Sequence, residues 1–319
     1  MSTSLVGAAI GVNYGLQGDN LPPPGSVINL YKQENIPLLR LFEPNHEALE
    51  ALRGTGIKVA LGVINDDVPN IASDLNVANQ WVATNVVPYK DDVIFGWIAL
   101  GNEIVPAVAS SSIPGAMQNI QQALNSVGLT GIKVTTVVNT AVLGASYPPS
   151  AGEFNDASSG FMKGIINWLQ STNNPLLVTL YPYMAYASDP VNISLGYAQF
   201  NPENPIIDGQ FKYYSLFEAM VDAFYAALEK NGGPNVPLVV AETGWPTAGN
   251  DPYTSVSNAQ TYNQNLINKM KNVGTPKRGS SILDIFIFAM FNENQKPAGV
   301  EQNWGIHYPT MEPVYPLTF

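Results

Sequence analysis

Residues 93–103 read VIFGWIALGNE, an apolar run that ends in Gly101, Asn102 and Glu103. A helical pattern follows it at residues 115–127. Continuously apolar strands that alternate with helices are typical of a parallel sheet whose two faces are both covered. This segment therefore predicts one strand-plus-helix unit of an α/β protein.

The same unit recurs along the whole chain. The runs predicted as strands are residues 10–14, 38–42, 59–64, 93–100, 134–139, 177–181, 238–241 and 285–291. The predicted helices between them include residues 26–34, 46–52, 77–86, 115–127, 160–169, 214–229 and 259–272. Eight such units in succession predict closure into a (β/α)8 TIM barrel.

Domain organisation follows from the absence of linkers. A length of 319 residues is compatible with one domain or two, but no Gly/Ser tract or charge run divides the chain. We therefore expect one α/β domain, residues 1–319, with elongated βα loops. Residues 1–8 are expected to be a remnant outside the barrel. Residues 183–211 are rich in Pro, Asn and Asp and predict a long loop with small structure of its own. The alternative is an open doubly wound sheet, but neither G-x-G-x-x-G nor G-x-x-x-x-G-K-[ST] is present.

Composition limits the classes of partner. Charged residues make up only 12% of the chain, and 25 acidic against 14 basic residues give a formal net charge of −11. Such a surface repels phosphate backbones and anionic lipids, so we expect no nucleic-acid partner and no membrane partner. No apolar run approaches the ~20 residues that span a bilayer.

Cysteine and histidine usage excludes several kinds of site. The chain has no cysteine, which rules out disulfides, cysteine-ligated zinc, iron–sulfur clusters and thiol nucleophiles. Its only histidines are His46 and His307, too few for a multi-histidine metal centre, and we interpret both as surface or loop residues. We expect neither a metal nor another cofactor.

The polar residues that follow the predicted strands suggest a sugar site, because catalytic groups of α/β barrels lie at the carboxyl ends of the strands. These residues include Tyr14, Arg40, Glu43, Asn102, Glu103, Asn139, Tyr181, Tyr183, Glu242, Trp245, Glu293 and Lys296. Amides and carboxylates bind hydroxyl groups, and aromatic rings cover the C–H faces of pyranose rings. A hard-cation site would show a denser cluster of acidic residues.

Two carboxyl groups stand out within this set. Glu103 and Glu242 follow the fourth and seventh strands and can face each other across the barrel mouth, as glycoside hydrolysis requires. Each has a structural alternative, because a glutamate at a strand end also caps helices or pairs with a basic residue. Glu293 and Lys296 alone would indicate a surface ion pair, and Asn102 and Asn139 can satisfy backbone groups.

Six segments carry a family resemblance over nearly the whole length. They are IGVNYG at 10–15, LGNEI at 100–104, SYPPS at 146–150, LYPY at 180–183, AETGWP at 241–246 and FAMFNENQK at 288–296. In the residues of these segments, their order and their spacing, the chain resembles the plant-type endo-β-1,3-glucanases of glycoside hydrolase family seventeen. The resemblance implies a (β/α)8 barrel and a retaining double displacement on a β-1,3-glucan.

Roles for single residues are implied by the same resemblance. Glu103 would be the general acid/base and Glu242 the nucleophile, with Glu293 and Lys296 supporting them. Tyr14, Asn102, Tyr181, Trp245 and Phe291 would line the cleft. We further expect burial to raise the pKa of Glu103, and hydrogen bonds or the charge of Lys296 to keep Glu242 ionised.

Other functions remain open at this point. A mixed-linkage β-1,3-1,4-glucanase, a transglycosylase on the same scaffold and a non-catalytic glucan-binding protein are the alternatives. The resemblance also implies a secreted monomer of the apoplast or cell wall, with a role in plant defence or wall remodelling. The sequon Asn192-Ile193-Ser194 fits secretion weakly, and the N-terminal MSTSLVGA lacks the features of a signal peptide, which we expect to be absent from this chain.

Overall fold

The computed structural model describes residues 9–319, so the expectation for residues 1–8 lies outside the described part of the chain. The strands are β1 Ile10–Tyr14, β2 Leu38–Leu41, β3 Lys58–Val63, β4 Ile94–Asn102, β5 Lys133–Asn139, β6 Leu143–Ala145, β7 Glu153–Phe154, β8 Leu176–Thr179, β9 Ile206–Asp208, β10 Phe211–Tyr213, β11 Leu238–Thr243 and β12 Ile285–Ile287. The α-helices are α1 Pro24–Gln33, α2 His46–Ala51, α3 Val68–Ser73, α4 Leu75–Asn85, α5 Ile113–Ser126, α6 Asp156–Thr172, α7 Pro182–Ser188, α8 Leu195–Ala198, α9 Leu216–Lys230 and α10 Val256–Met270.

Eight of the strands close into a parallel barrel. Their order around it is β1-β12-β11-β8-β5-β4-β3-β2, and pairing of Ile10 with Ile285 joins the last strand to the first. The remaining strands form two small antiparallel pairs, β6 with β7 and β9 with β10. The predicted (β/α)8 fold is confirmed, and the open doubly wound alternative is wrong.

Alternate residues of the barrel strands fill the interior, as the two-residue period of a strand requires. This inner cluster consists of Leu38, Ala60, Trp97, Ala99, Val137, Leu177, Val239, Ala241 and Phe286. The other strand residues join a larger core beneath the surrounding helices. Both faces of the sheet are therefore buried, which explains why the strands read as continuous apolar runs.

The predicted elements differ from the observed ones mainly at the last strand. Residues 285–291 were expected to form one strand, but β12 ends at Ile287. Beyond it Phe288 N and Met290 N still donate to the barrel residues Thr243 and Asn13. The C-terminal segment pairs with the same stretch, since Ala289 N donates to Trp304 O and His307 N donates to Met290 O. Within residues 9–319, β12 is followed by a 3-10 helix, Val300–Gln302, and by no α-helix.

The segment 183–211 contains small elements of its own, as predicted. It runs through most of α7, all of α8 and the β9–β10 turn before reaching α9. Asp208 of β9 holds the β5–α6 connection by accepting hydrogen bonds from the backbone and hydroxyl of Ser150. In the described residues, no helix combines the length and the apolar character needed to cross a bilayer.

Candidate active site

A cleft of about 770 Å³ opens at the carboxyl ends of the barrel strands. It brings together these residues singled out from the sequence: Tyr14, Glu43, Asn102, Glu103, Asn139, Tyr181, Glu242, Glu293 and Lys296. Its volume lies in the range of small-molecule sites. The strand ends have therefore assembled one polar site from residues that are far apart in the sequence, Tyr14 and Lys296 being the extremes.

An irregularity in β11 aims Glu242 into this cleft. Val239 and Ala241 point into the barrel, so strict alternation would turn Thr243 inward and Glu242 outward. The pairing register of β11 shifts after Val240 against both neighbouring strands. Thr243 consequently faces α10 and bonds to the hydroxyl of Tyr262, while Glu242 lines the cleft. Bulges that redirect one side chain are common beside active sites.

Two side chains hold the Glu242 carboxylate, one at each oxygen. Arg40 Nη1 lies 2.6 Å from Oε1, and the Tyr181 hydroxyl donates to Oε2 at 2.7 Å. Arg40 belongs to the inward-facing row of β2 and also donates to Asn102 Oδ1 at 2.6 Å. Burial, followed by the neighbouring Glu242 carboxylate, raises the pKa of Tyr181 well above its ordinary value, so the phenol stays a donor.

Glu103 occupies a different electrostatic setting. Gly101 and Glu103 both have positive φ, +72° and +55°, and the register of β4 against β5 shifts between Ala99 and Asn102. One oxygen of Glu103 accepts a hydrogen bond from Thr179 Oγ1. Burial, and next the charge of Glu242, raise the pKa of Glu103 above its ordinary value, outweighing the opposite effect of Thr179. The expected direction of this shift is confirmed.

Glu293 and Lys296 form a pair at the side of the cleft. Lys296 Nζ lies 3.2 Å from Glu293 Oε2, and Gln17 N donates to Glu293 Oε1 at 2.8 Å. Gly15 leaves the necessary space, because a Cβ there would lie 2.4 Å from Glu293 Oε1. Lys296 was expected to offer its charge to Glu242, but its salt bridge is to Glu293 and Arg40 occupies the expected place.

Three aromatic residues predicted to contact substrate are instead buried in the core. Trp245 is 0% exposed and donates to Tyr253 O, while Tyr183 packs edge-on against it and accepts from Asn250. Phe291 is 2% exposed and packs against Tyr14. None of the three is among the cleft-lining residues, so these predictions are wrong. Large apolar rings beside a strand end fold inward wherever a neighbouring aromatic cluster can bury them.

Other cleft residues were missed in the sequence. Those not predicted as site residues include Phe42, Thr179, Met184, Phe288, Glu301 and Trp304. Phe288 and Trp304 pack edge-on against each other and against Tyr181. Arg40 was among the strand-end candidates but had no assigned role, although a lone arginine within the apolar segment LLRLF needs a buried partner, which is Glu242.

No metal site accompanies these groups. Within residues 9–319, no three His, Cys, Asp or Glu side chains are arranged to hold a metal ion. His46 is an exposed residue at the start of α2, as expected, and bonds to Asn85 and Tyr89. His307 is buried rather than superficial and lies 2.8 Å from Glu34. Both histidines lie outside the cleft lining.

Comparison with known proteins identifies the family. The profile of Glycosyl hydrolases family 17 matches residues 10–319. The chain belongs to this family. The match confirms the resemblance drawn from the motifs and makes the protein a glycoside hydrolase of family 17.

Individual family 17 members are similar over almost their full length. The chain is 45% identical to Lichenase-2 of Hordeum vulgare, over 98% of both chains. It is also 45% identical to a glucan endo-1,3-beta-glucosidase of Vitis vinifera, over 100% of this chain and 94% of the relative. The solved structure of CJP38, a beta-1,3-glucanase and allergen of Cryptomeria japonica pollen, has a TM-score of 0.94 at 44% identity, covering 98% of this chain and 99% of that one.

Proposed function

We propose that this family 17 protein is a retaining endo-β-1,3-glucanase that cleaves internal bonds of β-1,3-glucans such as laminarin, callose or fungal wall glucan. One observation carries the proposal. Two carboxyl groups line one cleft in opposed settings: Glu242 is paired with Arg40, whereas burial and the charge of Glu242 raise the pKa of Glu103. Environments that separate two carboxyl groups in this way mark an acid and its anionic partner.

In the first step, an oxygen of Glu242 attacks the anomeric carbon of the bound glucose unit. The bond to the leaving glycosidic oxygen breaks, and Glu103 donates its proton to that oxygen. A glycosyl ester on Glu242 results. Arg40 and Tyr181 fix the carboxylate from behind, at 2.6 and 2.7 Å, so that it enters the reaction already oriented.

In the second step the roles of Glu103 reverse. As a carboxylate it accepts a proton from water, whose oxygen attacks the anomeric carbon and releases Glu242. The hydrogen bond from Thr179 supports this charged form of Glu103. The retaining course requires the two carboxyl groups to stand ~5–5.5 Å apart.

The remaining polar residues of the cleft would bind the sugar chain. Glu293 and Lys296 offer an acceptor and a donor to substrate hydroxyl groups beside the reacting bond. The other substrate-binding residues in the proposal are Tyr14, Asn102, Asn139 and Tyr181, all of which line the cleft. The substrate is neutral and rich in hydroxyl groups, which agrees with a site lined by carboxylates, amides and aromatic rings.

Linkage preference has a second candidate. Lichenase-2 and the grapevine glucan endo-1,3-beta-glucosidase are equally similar to this chain, at 45% identity each, which keeps a mixed-linkage β-1,3-1,4-glucanase as the alternative. Initial rates on laminarin and on barley mixed-linkage glucan separate the two. We expect faster release of reducing sugar from laminarin, and a preference for barley glucan would favour the alternative.

Two further alternatives differ in the fate of the sugar. A transglycosylase transfers the glycosyl unit to another sugar, so it would form elongated oligosaccharides at high acceptor concentration. A non-catalytic glucan-binding protein would bind laminarin without releasing reducing ends. The settings of Glu103 and Glu242 favour catalysis over binding alone, and the assay at high acceptor concentration separates hydrolysis from transfer.

The proposed setting of the enzyme is extracellular. Asn192 of the sequon is exposed, in the segment between α7 and α8, where a glycan would meet solvent. We propose that the protein is a secreted monomer of the apoplast or cell wall that acts in plant defence or wall remodelling. Mobility shift after glycosidase treatment of protein from a plant extract, with an Asn192→Gln control, tests the secretory route.

The activity itself is tested with laminarin and two variants. Glu103→Gln and Glu242→Gln each remove a reacting carboxyl group while keeping the side-chain volume, and we expect each to lose at least about 1,000-fold in kcat. Glu312→Gln, at an exposed glutamate, is the matched control and should equal the parent. Near-normal turnover by either cleft variant would overturn the assignment of roles.

A further inference from the structure

One wall of the cleft is a single face of helix α7. Tyr181, Met184, Ala185 and Ser188 all line the cleft, and their spacing places them on one side of the helix. Met184 is 50% exposed, whereas the lining rings of Phe288 and Trp304 are 6% and 3% exposed. The thioether of Met184 therefore offers exposed apolar surface to whatever occupies the cleft.

The other methionines differ from Met184 in access or in location. Met117, Met162, Met270 and Met290 are buried, at 0%, 0%, 1% and 0% exposed. Met220 also lines the cleft but is only partly exposed. Met311 is 37% exposed and lies outside the cleft lining. Met184 is thus the most exposed methionine of residues 9–319 and also faces the cleft.

Oxidation would change this wall without touching the reacting carboxylates. A peroxide transfers one oxygen atom to the thioether: the S–O bond forms, the O–O bond breaks, sulfur loses two electrons and water is released. The product sulfoxide is polar, and methionine sulfoxide reductases reverse the reaction. The hydrogen bonds to Glu242 come from Arg40 and Tyr181, so Met184 contributes none of them.

We propose that Met184 is a reversible oxidation site at which peroxide lowers the affinity of the enzyme for glucan. The inference rests on the proposed function, because the cleft wall must contact a sugar chain for the change in polarity to matter. A sulfoxide exchanges an apolar contact with the C–H face of a pyranose ring for a strongly hydrated group. The effect falls on binding, and the chemical step at Glu242 keeps its geometry.

Peptide mapping and kinetics on hydrogen-peroxide-treated full-length enzyme test the proposal. We expect Met184 and Met311 to be oxidised before the buried methionines, and KM for laminarin to rise about fivefold, equivalent to roughly 1 kcal/mol, with kcat within about twofold. Treatment with methionine sulfoxide reductases should restore KM. Met184→Leu, compared before and after peroxide, should keep its own KM, and Met311→Leu should respond as the parent does.

Each other outcome has a defined meaning. If Met184 is oxidised and KM is unchanged, or if Met184→Leu loses affinity as the parent does, the inference is overturned while the glucanase assignment stands. If Met220→Leu, and not Met184→Leu, abolishes the rise in KM after peroxide, the effect belongs to Met220 and the inference is overturned as well. If the untreated enzyme does not hydrolyse laminarin or barley glucan at all, the proposed function fails and the inference fails with it.

Discussion

The guanidinium of Arg40 lies 2.6 Å from Oε1 of Glu242, and the two side chains are 2% and 8% exposed. Arg40 comes from β2 and Glu242 from β11, so the pair spans the barrel mouth. The second amino group of Arg40 donates a hydrogen bond to Asn102, which directly precedes Glu103. One buried cation therefore pairs with Glu242 and links it to the strand end that carries Glu103.

Arg40→Met should abolish activity and destabilise the fold. The variant leaves the Glu242 carboxylate buried without its cation, a change that costs about 3–5 kcal/mol in comparable cases. Urea unfolding and laminarin kcat/KM measure the two effects. Arg40→Lys keeps the charge but not the fork that reaches both Glu242 and Asn102, so we expect an intermediate loss. Parent-like values in the methionine variant would contradict the role given to Arg40.

Tyr181→Phe should lower kcat with little change in KM. The hydroxyl donates to Glu242 Oε2, whereas the ring packs on Phe288 and Trp304 and remains in the variant. Loss of one preorganised donor predicts a decrease of about 100-fold. Tyr186→Phe is the matched control in α7, the helix that Tyr181 precedes, since Tyr186 packs on Trp245 and Tyr253 outside the cleft lining. Equal kinetics for the two variants would show that the hydroxyl is not needed.

Thr179→Val should move the alkaline limb of the pH profile upward. Glu103 acts as an acid only while protonated, so activity falls as the pH rises through its pKa. Burial and the charge of Glu242 raise the pKa of Glu103, and the hydrogen bond from Thr179 opposes them by stabilising the carboxylate. Removing the hydroxyl therefore raises that pKa further.

The measurement is kcat/KM for laminarin between about pH 3 and 9, spanning the reference pKa values of carboxyl groups and histidine. Thr136→Val is the control, because its hydroxyl donates to Leu100 O and touches no carboxylate. A limb that moves to lower pH in Thr179→Val would refute the proposed electrostatics.

Gly15→Ala should damage the site although it changes no polar group. A Cβ would lie 2.4 Å from Glu293 Oε1, so the carboxylate must move and weaken its bonds to Gln17 and Lys296. Overpacking of this kind costs about 1–3 kcal/mol. We expect a lower kcat/KM for laminarin and unfolding at a lower urea concentration.

Gly25→Ala is the matched control for that substitution. Gly25 lies in α1, and apart from its chain neighbours and the backbone of its own helix no atom lies within 4 Å of the place that an alanine methyl group would take. Alanine at this position should be neutral or stabilise the protein by up to about 1 kcal/mol. If both alanine variants behave alike, the tight fit of Gly15 against Glu293 has no functional consequence.

The barrel and the meeting of Glu103 and Glu242 in one cleft could be predicted because both follow from repeating patterns. Each strand is a continuous apolar run, and polar residues at the ends of parallel strands meet on one face whatever their separation in sequence. Glu103 and Glu242 thus needed only the strand assignments and the motifs around them. The end of β12 could not be predicted, since residues 288–291 stay apolar while their backbone pairs with the C-terminal segment.

Side-chain direction beyond a strand end was the harder part. Trp245 follows Glu242 closely in sequence, yet its side chain packs in an aromatic cluster with Tyr183 and Tyr262. No local sequence pattern distinguishes this buried position from one that faces the cleft. Thr179 was missed because a threonine in an apolar strand is ordinary, and its contact depends on Glu103 coming from a strand two places along the barrel.

The proton NMR time course of laminarin hydrolysis tests the central claim most directly. If Glu242 forms a glycosyl ester that water then opens with the help of Glu103, two inversions occur and the first reducing ends are β-anomers. We predict a β-anomer signal that rises first and then mutarotates to the equilibrium mixture. An α-anomer as the initial product would contradict the double displacement and the roles given to both glutamates.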